Sequence, residues 1–243
     1  MCGRAQMTTT PDDLADWLGV DRGRVAPFAP RENIAPTDPM VVVRLARDGA
    51  PEATVMRWGL VPHWADDLRE GSKHFNARSE TVAQKPAFRD AFHRRRCVVV
   101  VDGFYEWKAE EVPAAPGKKP KVKKVPHRIQ APTREPLALA GLWERWTSRE
   151  GERVETCTVI TAEARGVVCT LHDRMPVALP RAAVDRWLDP GARDDELEAL
   201  LREGRVDFAI EPLAAMPVDP GKERPAPKRD QLSLFGGGDE PGR

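Results

Sequence analysis

A chain of 243 residues, 41% hydrophobic and 31% charged, carries enough apolar material for a sizeable core and has the composition of a soluble globular protein. Its 38 basic and 38 acidic side chains cancel, so global electrostatics does not draw it to nucleic acid; any such binding needs a local basic surface. No apolar run approaches membrane-spanning length, and Arg4 with the polar stretch after Cys2 does not make a signal peptide, so the cytoplasm is the expected compartment.

The chain opens Met1-Cys2-Gly3-Arg4. Methionine aminopeptidases remove Met1 when the next side chain is small, which would leave Cys2 with a free α-amine beside its thiol. Such a 1,2-aminothiol reacts with an aldehyde through a carbinolamine and an imine, and the thiol then closes a five-membered thiazolidine. Neither group is far from its reactive form at neutral pH. Gly3 permits a tight backbone path, and Arg4 offers a charge for phosphate. The other cysteines, Cys97, Cys157 and Cys169, form no CxxC or zinc spacing with it, so neither metal nor cofactor is expected. Cys97 and Cys157 lie in β-type apolar runs and are expected to be buried and reduced; Cys169 is read with them.

Thr10-Pro11-Asp12-Asp13 is a helix start, with a capping hydroxyl, proline at the first position and acids in the first turn. Residues 21–39 are irregular and proline-rich. Val41–Leu45 and Ala53–Gly59 are read as paired strands, followed by a loop, Leu60–Trp64, that carries a large aromatic. Ser79 is positioned to cap a short helix through Gln84. Cys97–Val101 is a continuous β-branched run, the pattern of a strand buried on both faces. The next strand puts Glu106 among Phe104, Tyr105 and Trp107, where a carboxylate is costly and its pKa is expected to rise.

Residues 109–126 are read as a lysine- and proline-rich loop, mostly solvated. Strands resume at His127–Gln130, Leu137–Trp143 and Val154–Ala162. His172 then stands in a loop between Leu171 and Asp173-Arg174, a setting suited to proton transfer beside a phosphate. Helices are expected near 181–188 and 193–202, and a last strand near 207–212. From Met216 the chain is proline, charge and glycine, read as a disordered tail, so the domain is placed at 1–215 and the tail at 216–243.

Six blocks in order resemble the SRAP (SOS-response-associated peptidase) family, whose members shield abasic sites in single-stranded DNA. They are Met1–Arg4, Asn33–Pro36, Arg57–Pro62, Asn76–Thr81, Asp102–Trp107 and His172–Pro176. The resemblance implies an α+β fold: a single domain on a strongly curved, barrel-like antiparallel β-sheet with peripheral helices. It also implies that Cys2 forms a thiazolidine with the sugar, Asn76 aligns the amine and sugar oxygens, and Glu106 shuttles protons. His172 assists ring opening and, in reverse, release. Arg4, Arg78 and Arg174 would grip phosphates, while Trp64 and Pro36 would stack on or wedge apart flanking bases. Ala65 departs from the family, which often has a second tryptophan there.

Two other readings use the same residues. An N-terminal-nucleophile cysteine peptidase would be limited to self-processing at Met1, and a binding module would hold single-stranded DNA without a covalent bond. In the tail, Gln231-Leu232-Ser233-Leu234-Phe235 matches the pentapeptide by which bacterial repair proteins dock on the sliding clamp, which would place a monomeric protein near replication forks and the nucleoid.

Overall fold

The computed structural model of the protein describes residues 2–112, 121–203 and 206–213. In chain order the first half runs β1 (Ala5–Met7), α1 (Pro11–Leu18), β2 (Arg31–Ile34), β3 (Pro39–Leu45), β4 (Pro51–Trp58), β5 (Asn76–Arg78), α2 (Pro86–Arg94) and β6 (Arg96–Val101). The second half runs β7 (Gly103–Val112), β8 (Lys121–Gln130), β9 (Leu137–Thr147), β10 (Arg153–Glu163), β11 (Arg174–Pro176), β12 (Ala178–Leu179), α3 (Val184–Leu188), α4 (Asp194–Glu203) and β13 (Ala209–Pro212).

The sheet around β6 closes on itself. β10 pairs with β4, β4 with β3, β3 with β6, β6 with β9, and β9 returns to β10. Four of these contacts are antiparallel, and the β10–β4 contact is parallel, so the barrel-like sheet is mixed at its seam. β6 is the most buried strand: Val98, Val99, Val100 and Val101 are sealed from solvent, as the unbroken valine run requires. A second sheet, ordered β13–β8–β7–β1–β2, lies beside the barrel and carries the chain's start.

α1 forms where its caps place it. Thr10 Oγ1 accepts the Asp13 N–H, Pro11 opens the first turn, and Gly19 ends the helix at φ 69°. Leu14, Ala15 and Leu18 turn its apolar face into the core. Arg96 joins the helices to the barrel. Its guanidinium, almost fully enclosed, donates to the carbonyls of Phe92 and His93 at the end of α2 and of Trp187 and Asp189 at the end of α3.

Three expectations need correction. The helix expected from Ser79 to Gln84 is a run of turns closed by Thr81 N–H to Arg78 O and Gln84 N–H to Thr81 O, with Ser79 N–H still bonded to Thr161 O as the chain leaves β5; the helix begins later, at Pro86. The loop expected at 109–126 is largely ladder, since β7 runs to Val112 and β8 starts at Lys121, with backbone pairing carrying strands whose side chains face water. Cys169 is exposed in a short 3-10 turn, whereas Cys97 and Cys157 are buried and unbridged. The boundary drawn at residue 215 and the pentapeptide Gln231–Phe235 lie outside the described residues.

Candidate active site

The start of the chain is held by strand pairing on both sides. β1 lies between β2 and β7, with Ala5 opposite Phe104 and Gln6 opposite Gly103. Beyond Met7 the chain is pinned by Asp102. That carboxylate, 9% exposed, accepts from the backbone N–H groups of Thr8 and Thr9 and from both threonine hydroxyls. The buried Tyr105 hydroxyl donates to Gln6 Oε1 at 2.5 Å, on the same strand. The Tyr105 N–H donates to Arg4 O at 2.9 Å, which carries the β1–β7 register past β1 and sets Gly3 level with Glu106. Cys2 therefore enters the protein at a fixed point, only 1% exposed.

Asn76 and Glu106 meet Cys2 there. β5 runs parallel to β10 with Asn76 opposite Val159, and Asn76 Nδ2 donates to Cys2 O at 2.8 Å. The Asn76 Oδ1 is buried with no hydrogen-bond partner among the described residues, leaving an acceptor beside Cys2. Burial pushes the Glu106 carboxyl up to about 7, with the Asp173 charge adding to the rise. Burial also holds the Cys2 thiol well above its usual value, and Glu106 adds to that effect. The thiol thus rests protonated, while the carboxyl is balanced between its two forms at neutral pH.

His172 sits at the rim, about a third exposed, in the turn that leads into β11. Its Nδ1 faces the Arg174 backbone N–H at 2.9 Å and an Asp173 carboxylate oxygen at 2.6 Å, so whichever contact prevails fixes which ring nitrogen carries the proton. Burial lowers its pKa, favouring the neutral ring. The charge of Asp173 reaches the Glu106 carboxyl and raises it, which links this turn to the site.

The residues expected to bind DNA divide into two groups. Arg78 is exposed at the end of β5, and Arg4 donates to Asn33 Oδ1 at 3.0 Å. Arg174 is different: it makes a two-pronged contact with Glu80, at 2.7 and 2.9 Å, and reaches Thr161 O at 2.6 Å. Trp64 is 61% exposed, an unusual setting for so large an apolar ring. Its loop is fixed from behind, by Val61 N–H to Thr156 Oγ1 and Leu60 N–H to His74 O. Gly59 and Gly71 touch backbone to backbone below it, so a Cβ on Gly59 would stand 2.4 Å from Gly71 O. Pro36 lies in a turn whose next residue, Thr37, adopts φ 82°, a strained value for a β-branched side chain.

Sequence reasoning gave no role to Asp102 or Glu80. Asp102 follows the valine run directly, and a carboxylate at the buried end of a core strand is itself a signal that partners await it. Glu80 falls inside a motif block but has no chemistry of its own to announce it.

The fold and the site together define a class: a barrel-based protein whose polar site is built around Cys2, Asn76 and Glu106. Residues 1–220 match the SOS response associated peptidase (SRAP) family, and the chain belongs to that family. It is 36% identical over 204 residues to the abasic site processing protein YoaM of Bacillus subtilis, covering 83% of this chain and 85% of that one. It is 30% identical over 223 residues to the abasic site processing protein HMCES of Xenopus tropicalis, covering 79% and 67%. A crystal structure of a Bacteroides thetaiotaomicron protein shares the fold at a TM-score of 0.71 and 21% identity, over 87% of this chain and 92% of the other.

Proposed function

We propose that this protein processes abasic sites in single-stranded DNA, capturing the open-chain sugar as a thiazolidine on Cys2. The observation that carries this reading is the convergence of a positioned amide and a carboxyl near neutral pKa on an enclosed Cys2. The names borne by its relatives point to the same substrate.

After Met1 is removed, the Cys2 amine attacks the C1′ aldehyde to give a carbinolamine, and Asn76 Oδ1 is the acceptor that orients the amine. Glu106 takes a proton from the attacking amine and returns it to the departing hydroxyl, releasing one water and leaving an imine. The thiol then adds to the imine carbon, its proton passing to the imine nitrogen through Glu106, and the ring closes. The high pKa of the resting thiol keeps its proton in place through the first addition, so that proton is there to pass to the imine nitrogen as the ring closes. His172 assists opening of the closed sugar at the rim. Fixing the reactants is the largest contribution, since the amine, the thiol and the aldehyde need no other catalyst to react.

Arg4 and Arg78 would take flanking phosphates, and Trp64 with Pro36 would meet the adjacent bases. Any peptidase action is confined to the Met1–Cys2 bond. The tail pentapeptide Gln231–Phe235 would dock the protein on the sliding clamp, with Leu234 and Phe235 filling an apolar pocket; a labelled 226–240 peptide should bind clamp, and its Leu234→Ala/Phe235→Ala form should not.

The test of the main reading is a denaturing gel of mature protein with an oligonucleotide bearing one abasic site, read beside intact mass spectrometry. A heat-stable one-to-one adduct and loss of Met1 are expected. An adduct that survives Cys2→Ala, or Met1 retained in the adduct-forming species, refutes it. No adduct in the parent, with Cys2→Ser keeping the parent's affinity for abasic DNA, would favour the non-covalent module.

A further inference from the structure

Arg174 does not present itself as an open cation. Its side chain is 14% exposed and crosses β10, donating to Thr161 O on the way, before its two Nη atoms meet the two oxygens of Glu80. The strands explain what that crossing joins. β10 is flanked at Thr161 by Arg78 of β5 on one edge and by Pro176 of β11 on the other. Glu80 follows β5, two residues after Arg78, while Arg174 opens β11 directly after His172-Asp173. The pair therefore ties the segment bearing Asn76 to the turn bearing His172.

The backbone transmits that tie. The Arg174 N–H donates to His172 Nδ1, and Asp173 O accepts from Ala164 N–H at 2.8 Å, so the turn has little freedom once Arg174 is placed. The guanidinium in turn holds the Glu80 carboxyl below the usual carboxylate range, keeping it ionised. A two-pronged guanidinium–carboxylate contact fixes orientation as well as distance, which a lysine or a single-oxygen acceptor does not.

We propose that Glu80 is a positioning residue: through Arg174 it holds the His172 turn in register with Asn76 across β10. The proposal rests on the abasic-site reading for its kinetic consequence, but not for its structural one.

Glu80 is half exposed, so Glu80→Gln should fold as the parent does, with thermal melting as the control. Two measurements test the proposal. In single-turnover capture at saturating abasic DNA, Glu80→Gln and Arg174→Lys should each slow adduct formation about 10- to 100-fold. The salt dependence of DNA affinity should stay that of the parent. Independently of activity, the His172 imidazole signals in a ¹H–¹⁵N spectrum at fixed pH should shift or broaden in Glu80→Gln. Unchanged His172 signals overturn the proposal. So does an unchanged capture rate, or a loss confined to affinity and salt slope, which would make Arg174 a phosphate ligand after all. If the parent itself forms no adduct, the abasic-site reading fails while the imidazole spectrum still decides the strut.

Discussion

Replacing Glu106 by glutamine should make the protein more stable and less active, and the size of the effect should depend on pH. The folded protein holds this carboxyl at about 7 instead of the usual 4.5. Between those two pH values the folded state keeps a proton that the unfolded chain has released. Stability from this group is therefore lost as pH rises through that window and stays low above it. The shift amounts to about 3 kcal/mol at most. Glutamine keeps the shape and cannot ionise, so Glu106→Gln should match the parent near pH 4 and exceed it by about 2–3 kcal/mol above pH 7. For a chain of this size that is a rise in Tm of about 4–12 °C. Urea unfolding across pH 4 to 8.5 measures it, and single-turnover capture should be slower in the same variant at every pH. A stability difference that does not change with pH would refute the reasoning, because it would mean that desolvation of the ionised carboxyl is not the source of the shift.

Three further outcomes follow from the site. Arg4→Ala and Arg78→Ala should each reduce the slope of log affinity against log salt by about 0.7, measured by fluorescence anisotropy with single-stranded DNA. Trp64→Ala should leave stability within about 0.5 kcal/mol of the parent, since the ring is mostly in solvent, yet weaken single-stranded DNA binding by about 1–3 kcal/mol. Gly59→Ala should destabilise by more than about 2 kcal/mol in chemical denaturation, because φ 117° and the Gly71 carbonyl both oppose a Cβ there.

Local chemistry was legible where a residue's own neighbours decided its structure. Thr10-Pro11 marked the start of α1 through capping and fixed φ, and the valine run of β6 marked a strand buried on both faces. α2 also had a signal, Pro86 at its first position and Phe88, Ala91 and Phe92 on one face, but Ser79 offered a more familiar cap upstream. The outer halves of β7 and β8 had none. Their rungs pair residues such as Glu110 with Lys123 and Ala109 with Lys124, and no burial imposes an alternation. The parallel seam between β4 and β10 joins Arg57 to Thr156, a contact between segments far apart in sequence that no local pattern encodes. The candidate site came from motifs with recognisable chemistry in Cys2, Asn76, Glu106 and His172. Residues that act only by holding others, Asp102 and Glu80, carry no such mark.

The Asp102 clamp and the β7–β8 ladder set opposite rules for how this chain can change length. Thr8 and Thr9 are anchored and β1 is paired on both sides, so a residue inserted in β1 would carry Cys2 about 3.3 Å along the strand, beyond reach of the 2.8 Å contact with Asn76. Lengthening the two arms of the hairpin past Val112 and before Lys121 leaves Glu106 opposite His127, because register is set at the root. The clamp thus fixes the Cys2–Asn76 contact while the ladder leaves room for insertions at its far end, so length differences among relatives should gather in the hairpin and be missing ahead of Ala5.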